Sequence, residues 1–223
     1  MDVFILIFLI VFAYLLGSTP SAVLVGKKMY GIDVREHGSH NAGATNTMRV
    51  LGRKAGLIVF LLDGLKGYLA VMAGWLAPIN PDSEIFVIFR LILVLAAVLG
   101  HIFPVFAGFR GGKGVATATG CLLALSPLSL LLCFAVFAIV LFTTHYVSLS
   151  SMIGGALYPV FVCFVWGQKS ATMIVFSIFV AVMLLFTHRK NIARLRAGTE
   201  SKTYLFAKPA GKEQEEERDS RQG

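Results

Sequence analysis

The stretch Gly38–Arg49, GSHNAGATNTMR, gathers glycines, short hydroxyl and amide side chains and a guanidinium into one short segment. Gly38 and Gly43 permit backbone conformations in which successive N–H groups point into one concavity, a nest suited to phosphate oxygens. Ser39, Asn41, Thr45 and Asn46 add short polar groups, and Arg49 adds a planar two-pronged cation. A helix starting near Thr45 would aim its N-terminal amides at the same point. A capped loop between helices accounts for the same composition, and composition alone leaves both readings open.

A second segment, Gly100–Thr117, reads GHIFPVFAGFRGGKGVAT, with glycines at 108, 111, 112 and 114 around Arg110 and Lys113. It is not a nucleotide P-loop, which needs four residues between its glycines and a Ser or Thr after the lysine. Here three residues separate Gly108 from Gly112, and Gly114 follows Lys113. The apolar run behind it, Val115–Leu125, gives only about 16 Å of helix at 1.5 Å per residue, too short to cross a bilayer unaided. The pattern predicts a short helix after a glycine-rich loop, its positive end facing a cavity. Irregular backbone at such depth is tolerated only where protein or water surrounds it.

The third segment, His188–Glu200, reads HRKNIARLRAGTE. His188 and Asn191 stand three apart, which places them on one helical face. A histidine at that boundary can donate to a phosphate or take a proton; a juxtamembrane basic stop is the plainer reading. Two smaller features accompany these segments. Asp63 and Lys66 in DGLKG must pair or face the bundle interior if their helix lies in lipid, and YVSLSS, Tyr146–Ser151, brings hydroxyls to a helix end.

Elements of one class must position these residues. The 223 residues are 57% hydrophobic with mean hydropathy +0.77, and several apolar runs approach the roughly 20 residues that span a hydrocarbon core. They are Val3–Val25, Leu57–Leu76, Ile85–Phe106, Val115–Leu125, Leu128–Tyr146, Ser151–Trp166 and Thr172–Phe186. We therefore expect an all-α integral membrane protein with seven transmembrane helices. Residues 1–200 are expected to form a single membrane-embedded domain, and residues 201–223 a polar, disordered tail. Lys27, Lys28, Arg35, Arg49, Arg53, Lys54, Arg110, Lys113 and the basic tail fall on one side, opposite PINPDSE. The positive-inside bias then puts the N-terminus outside and the C-terminus in the cytoplasm. That side assignment absorbs most of the formal net charge of +8, so basicity argues for no nucleic-acid partner. Cys121, Cys133 and Cys163 sit in apolar patterns without metal-ligand spacing. No metal and no cofactor are expected.

Taken together, GSHNAGATN…R, DGLKG, GHIFPVFAGFRGGKGVAT, YVSLSS and HRKNIARLRAGTE, in this order, resemble the bacterial acyl-phosphate-dependent glycerol-3-phosphate acyltransferases. The likeness runs from the first helix to about Glu200. It implies a multi-pass enzyme of the bacterial cytoplasmic (inner) membrane with its active site facing the cytoplasm. Such an enzyme moves an acyl chain from acyl phosphate to the 1-hydroxyl of glycerol 3-phosphate, the first step of phospholipid synthesis. The products are 1-acyl-glycerol 3-phosphate (lysophosphatidate) and inorganic phosphate. Carried onto these positions, the resemblance gives Ser39, Asn41, Gly43, Thr45 and Asn46 to the acyl phosphate. Arg49, Lys113, Ser151, His188 and Asn191 go to glycerol 3-phosphate, with Lys113, His188 and Asn46 as the catalytic set. His188 and His101 are both candidate bases, and the acceptor's own phosphate is another.

Membrane lipid and a soluble enzyme that makes acyl phosphate are further implied partners. No histidine, at 37, 40, 101, 145 or 188, has Asp five residues on, so the His-x-x-x-x-Asp pattern of thioester-using glycerolipid acyltransferases is absent. Two positions depart from the family's pattern: His40 replaces a glycine, and His145 stands where an arginine is expected. A transporter of an anionic phosphorylated solute is the competing reading, since transporters also place broken helices at binding sites. A headgroup-binding scaffold is a second. Neither explains three polar islands on one side of the membrane as directly.

Overall fold

Where the apolar runs bend or stop, a particular residue is responsible. The first run forms two helices, α1 (Asp2–Gly17) and α2 (Ser21–Tyr30), meeting at 41°, not the single helix expected over Val3–Val25. Pro20 explains the break, because it lacks an N–H and disfavours helical backbone at Thr19. The break leaves the Thr19 carbonyl to accept from Lys66 Nζ at 2.8 Å. After α2 the chain forms α3 (Ala44–Leu51), α4 (Arg53–Met72), α5 (Glu84–Ile102), α6 (Val115–Leu125) and α7 (Pro127–Thr144). Then come α8 (Val147–Ala156), a single turn α9 (Tyr158–Val160), α10 (Ala171–Thr187) and α11 (Arg189–Arg196). The computed structural model describes residues 2–165 and 171–203, and no strand occurs among them. Trp166, the connection carrying Lys169 and the tail beyond Thr203 lie outside the described residues.

Among the described residues, three helical stretches are long and apolar enough to cross a membrane: Arg53–Leu76, Glu84–Ala107 and Pro127–Thr144. Counting the bent pairs α1–α2 and α10–α11 as one crossing each gives up to five, short of the expected seven, and Val115–Leu125 and Val147–Cys163 remain as shorter apolar helices. The outer face carries large apolar side chains such as Phe4, Leu76, Ile139 and Val175, a surface suited to lipid rather than water.

In lipid, helices associate by close packing more than by a hydrophobic gain, and glycines make that packing possible. A methyl group on Gly120 would lie 1.8 Å from the Gly64 carbonyl oxygen, so α6 and α4 meet backbone to backbone. A methyl on Gly17 would lie 2.1 Å from the Ala97 oxygen, which sets α1 against α5 in the same way. Arg90, inside α5, donates to the Ala124 carbonyl at 2.8 Å and lies over the Trp75 and Phe86 rings. It thereby places a cation at the C-terminal end of the short helix α6. These contacts hold α4, α5 and α6 as the scaffold for the polar segments.

Candidate active site

The loop before α3 is organised by one buried side chain. Asn46 Nδ2 donates to the Val34 and His37 carbonyls at 2.7 and 3.1 Å, and its Oδ1 accepts from the Ser39 N–H and hydroxyl at 2.7 and 3.1 Å. Two donors and two acceptor positions are all that a carboxamide offers. Asn46, expected as a phosphate ligand and catalytic residue, therefore spends its whole capacity on bracing the loop. Ser39 likewise commits its hydroxyl proton to Asn46. Gly43 precedes the first turn of α3 with no side-chain cap on the helix, so the leading amides near Thr45 face the loop as the sequence predicts. His40 adopts φ +57°, the left-handed region that a glycine would occupy without strain. Its Nδ1 lies 3.1 Å from the Arg35 carbonyl, and that contact offsets part of the strain.

The glycine-rich loop reaches α6 through Gly114 at φ +79°. Its path is set by His101 at the end of α5. The Gly112 N–H donates to the His101 carbonyl at 3.2 Å, and a methyl on Gly112 would lie 2.2 Å from His101 Nε2. Lys113, next in the chain, donates through Nζ to Asn191 Oδ1. Asn191 Nδ2 donates to Glu200 Oε1 at 2.7 Å, Ser148 Oγ donates to the same oxygen at 2.7 Å, and Arg194 Nε donates to Oε2 at 2.6 Å.

The charges of this network are mutually adjusted. Burial pushes the Lys113 ammonium down to about 8, with Arg194 and Arg49 adding to the depression and Glu200 opposing it. Burial alone would raise Glu200, yet hydrogen bonds from Arg194, Asn191 and Ser148 hold it below its ordinary value. Three cations around one carboxylate leave the rim electropositive, a setting for an anion.

His188 and Asn191 are both buried at the start of α11. His188 Nδ1 lies 2.8 Å from the Leu184 carbonyl. A carbonyl only accepts, so Nδ1 carries the proton and Nε2 is the acceptor nitrogen of the neutral ring. Ser151 donates to the Val147 carbonyl of its own helix at 2.9 Å. Arg49 Nη2 donates to the Ser201 carbonyl at 3.3 Å, and the Thr203 N–H to the His145 carbonyl at 2.7 Å. The segment after α11 is thus docked beyond the domain end expected at residue 200.

One cavity of about 370 Å³ collects these groups. Ser39, Asn41, Gly43, Thr45, Asn46, Arg49, Lys113, Ser151, His188 and Asn191, the ten residues given to the substrates, line it, whereas Arg110, expected beside Lys113, is exposed and outside the lining. Its other wall is apolar: Leu130, Phe134, Phe137 and Leu141 of α7, with Val180 and Leu184 of α10. A polar rim holding buried cations opens onto a greasy trough. Asp63 and His101 also line the cavity. Asp63 pairs with Lys66 at 2.7 Å, and His101 Nδ1 lies 3.6 Å from the same carboxylate, so the pairing expected of Asp63 and Lys66 is present.

Glu200, the hub of the Lys113 network, was not singled out from the sequence, and neither was Ser148. The available signal was a lone acid closing a strongly basic stretch, a charge with several cations to meet.

A family model described as glycerol-3-phosphate acyltransferase matches residues 7–198. The chain belongs to the glycerol-3-phosphate acyltransferase family. Among its relatives, the glycerol-3-phosphate acyltransferase of Bacillus cytotoxicus is 48% identical over 205 residues, covering 92% of this chain and 98% of the relative. That of Staphylococcus carnosus is 42% identical over 202 residues, covering 88% and 97%. The crystal structure of PlsY (YgiH), an integral membrane glycerol 3-phosphate acyltransferase, in its glycerol 3-phosphate form, superposes with a TM-score of 0.80. It is 39% identical, covering 91% of this chain and 99% of that one. The lysophosphatidic acid form of the same enzyme gives a TM-score of 0.77. The acyltransferase family fold thus extends over the three polar segments and the cavity between them.

Proposed function

We propose that this protein transfers an acyl chain from acyl phosphate to the 1-hydroxyl of glycerol 3-phosphate, forming lysophosphatidate and inorganic phosphate. One observation carries the reading: polar residues from three distant segments meet at the rim of a single cavity whose opposite wall is apolar. Two phosphates and one acyl chain require that combination.

Each group has a role. The loop Ser39–Thr45 with the leading amides of α3 receives the donor's phosphate, and Asn46 holds that loop in shape. Lys113 and Arg49 bind the phosphate of glycerol 3-phosphate, with Glu200 orienting Lys113 through Asn191. The acyl chain lies along α7 and α10. The substrate hydroxyl attacks the acyl carbon, the new C–O bond forms, and the bond to the phosphate oxygen breaks with its electron pair leaving on phosphate. His188 Nε2 takes the hydroxyl proton and returns it to the departing phosphate, which closes the proton balance. Placement of the hydroxyl and charge stabilisation supply the rate.

The basic segments support a rim on the cytoplasmic face, an N-terminus outside, and short helices that complete seven crossings of the bacterial inner membrane. Residues 1–200 act as one domain, onto which Ser201 and Thr203 dock. A soluble enzyme that makes acyl phosphate is the partner that would feed the trough. The test is direct. Purified protein in detergent is given glycerol 3-phosphate with acyl phosphate or, in parallel, acyl-CoA. Lysophosphatidate and phosphate are expected from acyl phosphate alone. No product from acyl phosphate, or equal product from acyl-CoA, would overturn the donor assignment.

A further inference from the structure

His101 is a buried imidazole that the acyl-transfer chemistry does not use. Its ring is held on two sides. Nδ1 lies 3.6 Å from Asp63 Oδ1 on α4, and Nε2 faces Gly112 so closely that one methyl group there would stand 2.2 Å away. Its carbonyl accepts the Gly112 N–H at 3.2 Å, and a methyl on Gly111 would lie 2.0 Å from that same oxygen. The Asp63 carboxylate is itself fixed by Lys66 at 2.7 Å, and Lys66 donates to the Thr19 carbonyl exposed by the break between α1 and α2. A continuous set of polar contacts therefore runs from the first helix break, through Asp63, to the backbone one residue before Lys113.

We propose that His101 is a positioning residue: clamped by Asp63, it fixes the path of Gly111–Gly112 and so the depth at which the Lys113 ammonium enters the cavity. With one nitrogen beside a carboxylate and the other against the loop, His101 is placed to hold the backbone and His188 to handle the proton. Lys113 sits on a glycine-flanked loop with little side-chain packing of its own, and its orientation needs an external template. The glycines supply the room for the imidazole, and the imidazole supplies the shape that the glycines lack.

Amide hydrogen exchange and steady-state kinetics on the full-length protein in detergent test this together. His101→Ala is expected to raise exchange at Gly111–Gly114 without raising it in α7. It should also raise the KM for glycerol 3-phosphate about tenfold with little change in kcat. In His101→Asn the amide nitrogen stands near the Nδ1 position and keeps the contact with Asp63 but leaves the space against Gly112 empty, so both quantities should lie between those of His101→Ala and the unsubstituted protein. Gly112→Ala pushes the loop off a fixed ring and should mimic His101→Ala. Combined with His101→Ala it should add little, as residues sharing one contact do. If His101→Ala does not fold, Gly112→Ala against the unsubstituted protein decides the matter by the same readouts. Unchanged exchange at the loop overturns the proposal, and so does loss of kcat at unchanged KM in both His101 variants, the signature of a base. Only the kinetic readout rests on the proposed acyl transfer. An unsubstituted protein that forms no product would refute that function, while the exchange result would still decide the role of His101.

Discussion

Asn191 donates to Glu200 Oε1 at 2.7 Å and accepts from Lys113 with the other end of the same amide. The carboxylate thereby dictates which way the amide faces, and a carboxamide that faces Lys113 with its oxygen keeps the ammonium at the cavity rim.

Removing the carboxylate while keeping its shape separates orientation from charge. Glu200→Gln still accepts from Asn191 but no longer counters the burial that depresses Lys113. The Lys113 ammonium, already down to about 8, then loses its proton at lower pH. Because a lysine is charged below its pKa, the KM for glycerol 3-phosphate should stay flat at acidic pH and rise above about pH 8. In Glu200→Gln that rise should begin at lower pH, as a KM–pH profile of both proteins would reveal. Coincident profiles would contradict the electrostatic link.

Asn46 and Lys113 should fail in different ways. Asn46→Ala deletes four hydrogen bonds and takes from the Ser39 N–H its acceptor, while the Val34 and His37 carbonyls keep the His37 and His40 N–H groups, for a cost on the order of 2 kcal/mol. Activity and thermal stability should therefore fall together. Lys113→Ala removes a buried cation and takes from Asn191 Oδ1 that donor while Nδ2 keeps Glu200; relief of a desolvated charge offsets the loss, so activity should vanish with the melting temperature little changed. Differential scanning fluorimetry beside the product assay distinguishes the two. A stable, inactive Asn46→Ala would return Asn46 to direct contact with substrate.

His40 holds a left-handed conformation with φ +57°. A β-branched replacement cannot do so cheaply, so His40→Val should lose about 1–3 kcal/mol and much of the activity, because the loop must shift. His40→Gly keeps the conformation and should retain activity, with stability within about 1 kcal/mol of the unsubstituted protein. Urea melts and initial rates check both.

The site was more legible in the sequence than the helix geometry was. Gly-rich and Asn-rich islands stand out in an apolar chain because lipid tolerates them only where they are used, and so all ten substrate-assigned residues line one cavity. The roles were less legible. Asn46 reads as a donor to phosphate until its four partners are seen, since carbonyls of Val34 and His37 carry no sequence signal. Glu200 reads as a tail charge because its partners Ser148, Asn191 and Arg194 converge only after α8 and α11 pack. The break at Ser18–Pro20 was written in the proline but hidden by an uncharged run, where hydropathy outweighs a local turn.

The central claim is that Lys113, held by Asn191 at the cavity rim, binds the phosphate of glycerol 3-phosphate. Isothermal titration of glycerol 3-phosphate into the detergent-purified protein and into Lys113→Ala tests it most directly. A buried charge-assisted contact predicts a loss of affinity of about 10- to 100-fold in the variant, with its melting temperature maintained. Equal affinity in the two proteins would contradict it.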